Sequence, residues 1–329
     1  MLYKMIIQTK RNQFYSDVRN GLMQEQKALP SKYFYDEEGD QIFQEIMALK
    51  AYYPTDCEEE ILCDQVGAMA SVIRFDGEPF DIIELGAGDG SKTLHLLKYL
   101  LSDGQEFSYL PVDISGHILH ELHSNMQSVL PDLDIKLIAD EYLNGLRQAV
   151  AASDRRKVVL FLGANIGNFM PDQALAFCRD INQILSPGDL LLIGFDLKKD
   201  PRIIRAAYDD DKGVTRRFNL NLLTRINKEL EADFDLSKFE HYCSYDPASG
   251  ACKSYLISLE NQRVHFPGYN IDLSEGECIW TEISQKYAVQ EITTMANAAG
   301  YSSQTMLTDA KGWFASVIWR VCTKIMNTN

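Results

Sequence analysis

A strand-like run, FDIIEL (80–85), passes directly into Gly86-Ala-Gly88-Asp-Gly90 and then into the helix-patterned SKTLHLLKYLL (91–101). No other feature of the chain narrows its fold as much. Glycines gather in this way where a turn must be tight and the backbone must approach a ligand without a Cβ in between. A lone Gly-x-Gly is weak evidence, but the strand before it and the helix after it supply the context of a nucleotide loop. The third glycine follows the second by two residues, whereas the pyrophosphate fingerprint of dehydrogenases requires three.

The rest of the middle of the chain repeats the strand–helix alternation of a parallel sheet covered by helices. Strands are expected at FDIIELGAG (80–88), FSYLPVD (107–113), DIKLIAD (134–140), KVVLFLGAN (157–165) and DLLLIGFD (189–196). Helices are expected at 91–101, 116–130 and 172–185, the last stopped by Ser186-Pro187-Gly188-Asp189. SSQTMLTD (302–309) and FASVIWRV (314–321) are spaced as a closing hairpin. The reading is an α/β fold: a Rossmann-like core of the class I methyltransferase kind, with an antiparallel C-terminal hairpin, plus a smaller α+β domain. Residues 56–197 and 288–329 are assigned to the core. Residues 1–55 and 198–287 do not follow the alternation and are assigned to the second domain, expected to cap the carboxyl edge of the sheet, where ligands bind in such folds.

The 329 residues, 46% of them hydrophobic, suffice for a sizeable core. A formal charge of −15, with no Lys/Arg-rich run, argues against a nucleic-acid substrate. The seven cysteines (57, 63, 178, 243, 252, 278, 322) never form a Cys-x-x-Cys pair, so neither a disulfide framework nor a zinc site is indicated. No signal peptide or membrane span is evident, and a cytoplasmic monomer without membrane or nucleic-acid partners is expected.

The spacing of Glu84-Leu-Gly86-Ala-Gly88-Asp-Gly90 matches the acidic-x-Gly-x-Gly-x-Gly pattern in which the loop holds the methionine half of S-adenosylmethionine. Asp113 ends the next strand, where a carboxylate can accept from both ribose hydroxyls. Asp140, ending the strand after that, is placed to meet the adenine amine. The competing reading makes the loop a plain tight turn and the two acids helix caps.

KYFYDEEGDQIFQEI (32–46), AYYPT (51–55), ELGAGDGSKT (84–93), FLGANIGN (161–168), RAAYDDDKGVTRRFN (205–218) and WTEIS (280–284) together resemble the histidine-specific N-alpha-methyltransferases of ergothioneine biosynthesis, in order from about residue 30 to the C-terminus. The resemblance implies methyl transfer from S-adenosylmethionine to the α-amine of histidine, giving hercynine. It implies cofactor roles for Gly86, Lys92, Asp113 and the Asp140-Glu141 pair. It places Tyr52, Asn168 and Tyr208 around the amino acid, Tyr35 near the amine, and Glu282 with Ser284 on the imidazole. The chemistry suits these residue types: an in-line displacement from a sulfonium needs alignment of a neutral amine and no metal. Asn168 and Tyr35 are the candidate catalytic pair. A carboxylate and a hydroxyl suit the two imidazole nitrogens. The chain departs from the family in Asp209-Asp210-Asp211 after Tyr208, and in Ser254, where relatives carry a bulkier apolar residue. That points to another aromatic amino acid, such as a tryptophan derivative, as the alternative acceptor; a non-catalytic S-adenosylmethionine binder is the other.

His117, His120 and His123 recur every three residues, but no cysteine or carboxylate cluster completes a shell, and they read as a solvated helix flank. The acidic run DCEEEILCD (56–64) reads as a helix N-terminus.

Overall fold

The computed structural model describes residues 2–74 and 77–322. The chain forms two compact units, one of residues up to Tyr52 with Asp200–Ser284, the other of Tyr53–Lys199 with residues from Gln285 on. Strands β1 (Phe80–Leu85), β2 (Phe107–Asp113), β3 (Asp134–Ile135), β4 (Ile138–Ala139), β5 (Arg156–Phe161) and β6 (Leu190–Asp196) belong to the larger unit. The smaller unit holds β7 (Phe239–Asp246), β8 (Ala251–Ser258), β9 (Gln262–Phe266), β10 (Tyr269–Leu273) and β11 (Cys278–Gln285, its last residue at the boundary). The larger unit closes with β12 (Tyr301–Thr308) and β13 (Phe314–Val321).

In the larger unit the strand order is β12-β13-β6-β5-β1-β2-β3, with β4 also on β2. β1 pairs in parallel with both β2 and β5, while β13 is antiparallel to β6 and to β12. All six residues of β1 and all seven of β6 are buried, as a parallel sheet covered on both faces requires. Ile83, Leu85, Val159, Phe161, Ile193, Phe195 and Trp319 form its core. Each such side chain contributes about 1.5–3 kcal/mol through removal from water. The strand order reverses at β1, which makes the carboxyl ends of β1 and β5 the place where ligands settle.

The expected strand 134–140 is broken. Only Asp134–Ile135 and Ile138–Ala139 pair with β2, and none of the seven residues is fully buried, as befits a short edge. The strand expected over 157–165 ends at Phe161, and the chain then enters a 3-10 turn, Asn165–Asn168.

In the smaller unit the helix Val214–Leu230 packs on the helix Glu37–Met47 around Phe34, Ile42, Phe218, Leu222 and Leu223. Asp36 opens the second of these helices by accepting from the Gly39 amide, and it also accepts from Asn221 at 2.9 Å. A three-stranded sheet, β11-β8-β7, completes the unit beside the β9–β10 hairpin. Alternation along β11 puts Trp280, Glu282 and Ser284 on one face and Thr281 and Ile283 on the other.

Residues 53–55, 198–199 and 285–287, which the sequence pattern groups with the second domain, belong to the larger unit. Asp196, at the end of β6, is the reason. It accepts from Tyr53 at 2.7 Å, pairs with Lys286 at 2.7 Å and also binds Lys199. Burial alone would raise its pKa, but Lys286 and Lys199 outweigh that and hold it below the ordinary carboxylate value.

Candidate active site

β1 delivers the chain into three left-handed glycines, Gly86, Gly88 and Gly90, with φ of 72°, 55° and 71°. A Cβ on Gly86 would lie 3.0 Å from Asn165 Nδ2 and 3.2 Å from the Tyr142 hydroxyl, and one on Gly90 would lie 2.7 Å from Met126 Cε. Among the described residues beyond its chain neighbours, Gly88 has nothing within 4 Å of that position, so backbone conformation alone demands glycine there.

Glu84 is fully buried, its carboxylate accepting from Thr93 at 2.6 Å and from Tyr109 at 2.5 Å. Burial pushes its carboxyl up to about 7. One oxygen thus ties the end of β1 to the helix that follows the loop, and the other ties it to β2. Asp113 ends β2; one oxygen accepts the Gly88 amide at 3.1 Å and the other the Ser115 amide at 2.9 Å. Burial raises its pKa while those amides oppose the rise. With the Ile114 amide bonding there too, the carboxylate still keeps acceptor capacity for a hydroxyl.

Lys92 pairs with Glu58 at 2.8 Å. Glu58 is fully buried and also accepts the Gly163 amide at 2.8 Å. The acidic run that read as a helix N-terminus lies in the helix Tyr53–Asp64, and its Glu58 joins the glycine loop to the loop after β5. Asp140 is half-buried. It accepts the Glu141 amide at 2.8 Å and Gln148 at 2.7 Å, and its own amide donates to the Asp113 carbonyl. Glu141 is the exposed N-cap of the helix Tyr142–Val150.

Asn168 lies half-buried at the end of the turn after β5. That loop holds Gly163 and Ala164 both left-handed, at φ of 71° and 56°. The alanine costs about 1–2 kcal/mol in this conformation, strain of a kind found at functional loops. Sequence reasoning passed over Glu58, Tyr142 and Asn165. The motif FLGANIGN did contain Asn165, but nothing in it distinguished that residue from Asn168.

In the smaller unit the candidate acceptor residues fall into two linked groups. Tyr35 meets Phe43 edge-on at 5.7 Å, Phe43 meets Tyr52 at 6.4 Å, and Tyr52 meets Tyr208 at 5.9 Å. The Tyr208 and Ser284 hydroxyls are 2.8 Å apart and buried. Ser254 donates to Glu282 Oε2 at 3.4 Å, and Trp280 Nε1 donates to the Glu282 carbonyl at 2.7 Å. In the Asp209-Asp210-Asp211 departure, Asp210 accepts the Val214 and Thr215 amides that open the long helix. His117 and His120 are exposed on the helix Gly116–Val129, and His117 faces Glu121 at 3.9 Å.

A parallel sheet closed by an antiparallel hairpin, with a three-glycine loop after β1 and an acid at the end of β2, defines a class I S-adenosylmethionine-dependent methyltransferase. The sequence model of the S-adenosylmethionine-dependent histidine-specific methyltransferases matches residues 14–321, and the chain belongs to that family. It is 35% identical to a histidine N-alpha-methyltransferase of Mycobacterium tuberculosis over 91% of this chain and 92% of the relative. It is 32% identical to one of Mycolicibacterium smegmatis over the same shares. It is also 30% identical to ergothioneine biosynthesis protein 1 of Schizosaccharomyces pombe, over 69% of this chain and 30% of that longer protein.

Proposed function

We propose that the chain transfers methyl groups from S-adenosylmethionine to the α-amine of L-histidine, in three rounds that give hercynine as a step toward ergothioneine. Family membership and the histidine N-alpha-methyltransferase relatives support the reaction. Two hydrogen-bonded pairs, Tyr208 with Ser284 and Ser254 with Glu282, support the acceptor, and they are the observation that carries the reading. The Glu282 carboxylate accepts an imidazole N–H, while the Ser284 hydroxyl, set by Tyr208, serves the other nitrogen. An amino acid lacking these partners leaves buried polar groups unpaired, at about 1–3 kcal/mol each.

In each round the amine nitrogen attacks the sulfonium methyl, a C–N bond replaces the C–S bond, and S-adenosylhomocysteine leaves. In the first two rounds the product nitrogen must shed a proton before it can attack again. The third yields a quaternary ammonium. Glycines 86–90 and Asp113 hold the donor, with Asp140 and Glu141 at its adenine end. Asn168 accepts a hydrogen bond from the amine and orients its lone pair. Tyr35 assists proton loss, directly or through water, and Tyr52 lines the amino-acid site.

The test is a panel of free amino acids with S-adenosylmethionine, read by mass spectrometry. Histidine gaining three methyl groups is expected. Histidine inert with a tryptophan derivative methylated would move the substrate assignment and leave the fold untouched. Tyr35→Phe retaining full turnover at every pH would remove the proton-transfer role.

A further inference from the structure

The helices Tyr53–Asp64 and Thr93–Ser102 bring together three ligand-bearing side chains on the outside of the larger unit. Glu59 and Cys63 stand one turn apart on the first helix and are exposed, while His95, half-buried, comes from the second. Cys63 Sγ lies 3.4 Å from His95 Nδ1 and 3.5 Å from Nε2, and Nε2 lies 3.8 Å from Glu59 Oε1. The three ligand atoms all fall within 4.8 Å of one another. In a tetrahedral zinc shell, bonds of about 2.3 Å to sulfur and about 2.0–2.1 Å to nitrogen set those two ligands about 3.6 Å apart. The protein holds about that separation already, and because the sulfur is equally far from both ring nitrogens, loading turns the His95 ring to aim one of them at the shared ion.

We propose that Glu59, Cys63 and His95 form a surface site for one divalent cation of the zinc class, which ties the two helices together and keeps a fourth position open to water. A thiolate, an imidazole and a carboxylate select a borderline-soft ion over magnesium or calcium. Cysteine binds such an ion as the thiolate, so loading the site displaces the thiol proton. Cysteine spacing could not reveal the site, because its ligands come from two separate helices.

The same two helices carry the supports of the glycine loop. Glu58, which holds Lys92 and the Gly163 amide, precedes Glu59, and Thr93, which holds Glu84, lies two residues before His95. A bound cation braces this pair of helices from outside.

Cobalt(II) titration of the whole protein tests the site through the thiolate-to-cobalt charge-transfer band, with Cys63→Ser, His95→Gln and, as controls, Cys322→Ser and His117→Gln. The expected result is one-to-one binding with proton release in the wild type and both controls. Loss of the band in Cys63→Ser and affinity at least about tenfold weaker in His95→Gln are expected as well. Zinc should raise the melting temperature of the wild type but not of those two variants. Binding of S-adenosylhomocysteine by each variant shows that it is folded. A wild type that binds no cobalt, or folded Cys63→Ser and His95→Gln variants that bind it unchanged, would overturn the proposal.

Discussion

The hydroxyls of Tyr208 and Ser284 meet at 2.8 Å with both side chains buried, so each fixes the direction in which the other can donate or accept. Tyr208→Phe deletes one partner and leaves the Ser284 hydroxyl free to turn. The expected outcome is a KM for histidine roughly tenfold higher, matching about 1–2 kcal/mol of lost orientation, with the affinity for S-adenosylmethionine unchanged. Steady-state kinetics varied in each substrate separately provide the check. An equal loss for both substrates would contradict an acceptor-side role.

Glu58 joins two loops through a single buried carboxylate. Glu58→Gln keeps an acceptor for the Gly163 amide but removes the charge that Lys92 faces. Breaking one partner of a buried pair costs about 3 kcal/mol. Denaturant unfolding should register a loss of that order, and calorimetry should find weaker S-adenosylmethionine binding. A variant that lost stability yet bound the donor normally would confine Glu58 to a structural role.

Glu84 gives stability a distinctive dependence on pH. Burial lifts its carboxyl from 4.5 to about 7, with repulsion from Glu58 adding to the rise and Thr93, Tyr109 and Lys92 working against it. Between those values the folded chain holds a proton that the unfolded chain has released. The contribution is therefore fully present below 4.5, falls as pH rises, and is gone above about 7, in total roughly 3 kcal/mol or less. Glu84→Gln should flatten the unfolding free energy by that amount between about pH 5 and about pH 8, measured in urea. A wild-type slope of the opposite sign in which the variant shared fully would disprove the assignment.

Gly88 and Gly90 should separate when each is changed to alanine. At Gly90 the new methyl meets Met126 and Leu122 in addition to an unfavourable φ of 71°, so stability suffers first. At Gly88 the backbone strain of about 1 kcal/mol stands alone, because no described residue beyond its chain neighbours comes within 4 Å of the added methyl. The expected pattern is a larger drop in melting temperature for Gly90→Ala and a larger drop in donor affinity, relative to stability, for Gly88→Ala. Thermal unfolding and calorimetry on the two variants decide it.

The parts of the fold written as local pattern could be read directly from the sequence. The largely apolar β1 and β6, the glycine loop and the closing hairpin each carry their signal within a few residues. The edge strand after β2 did not, because a short half-exposed segment has the same composition as a loop. Glu58 was hidden for a related reason. Among Glu58, Glu59 and Glu60 nothing local marks the first as buried and the others as solvent-facing; only the packing of its helix does so. Tyr208, Glu282 and Ser284 came from family resemblance, and the hydrogen bonds that join them to one another or to Ser254 link residues distant in sequence.

The chain passes between its two units three times, at 52/53, 199/200 and 284/285, and beside each passage stands a residue held by Asp196: Tyr53, Lys199 and Lys286. The larger unit therefore ties off its own ends before the chain departs. The segment up to Tyr52 and the stretch Asp200–Ser284 thus both depart from positions anchored on one buried carboxylate, so Asp196 sets where each of the smaller unit's two segments begins or ends.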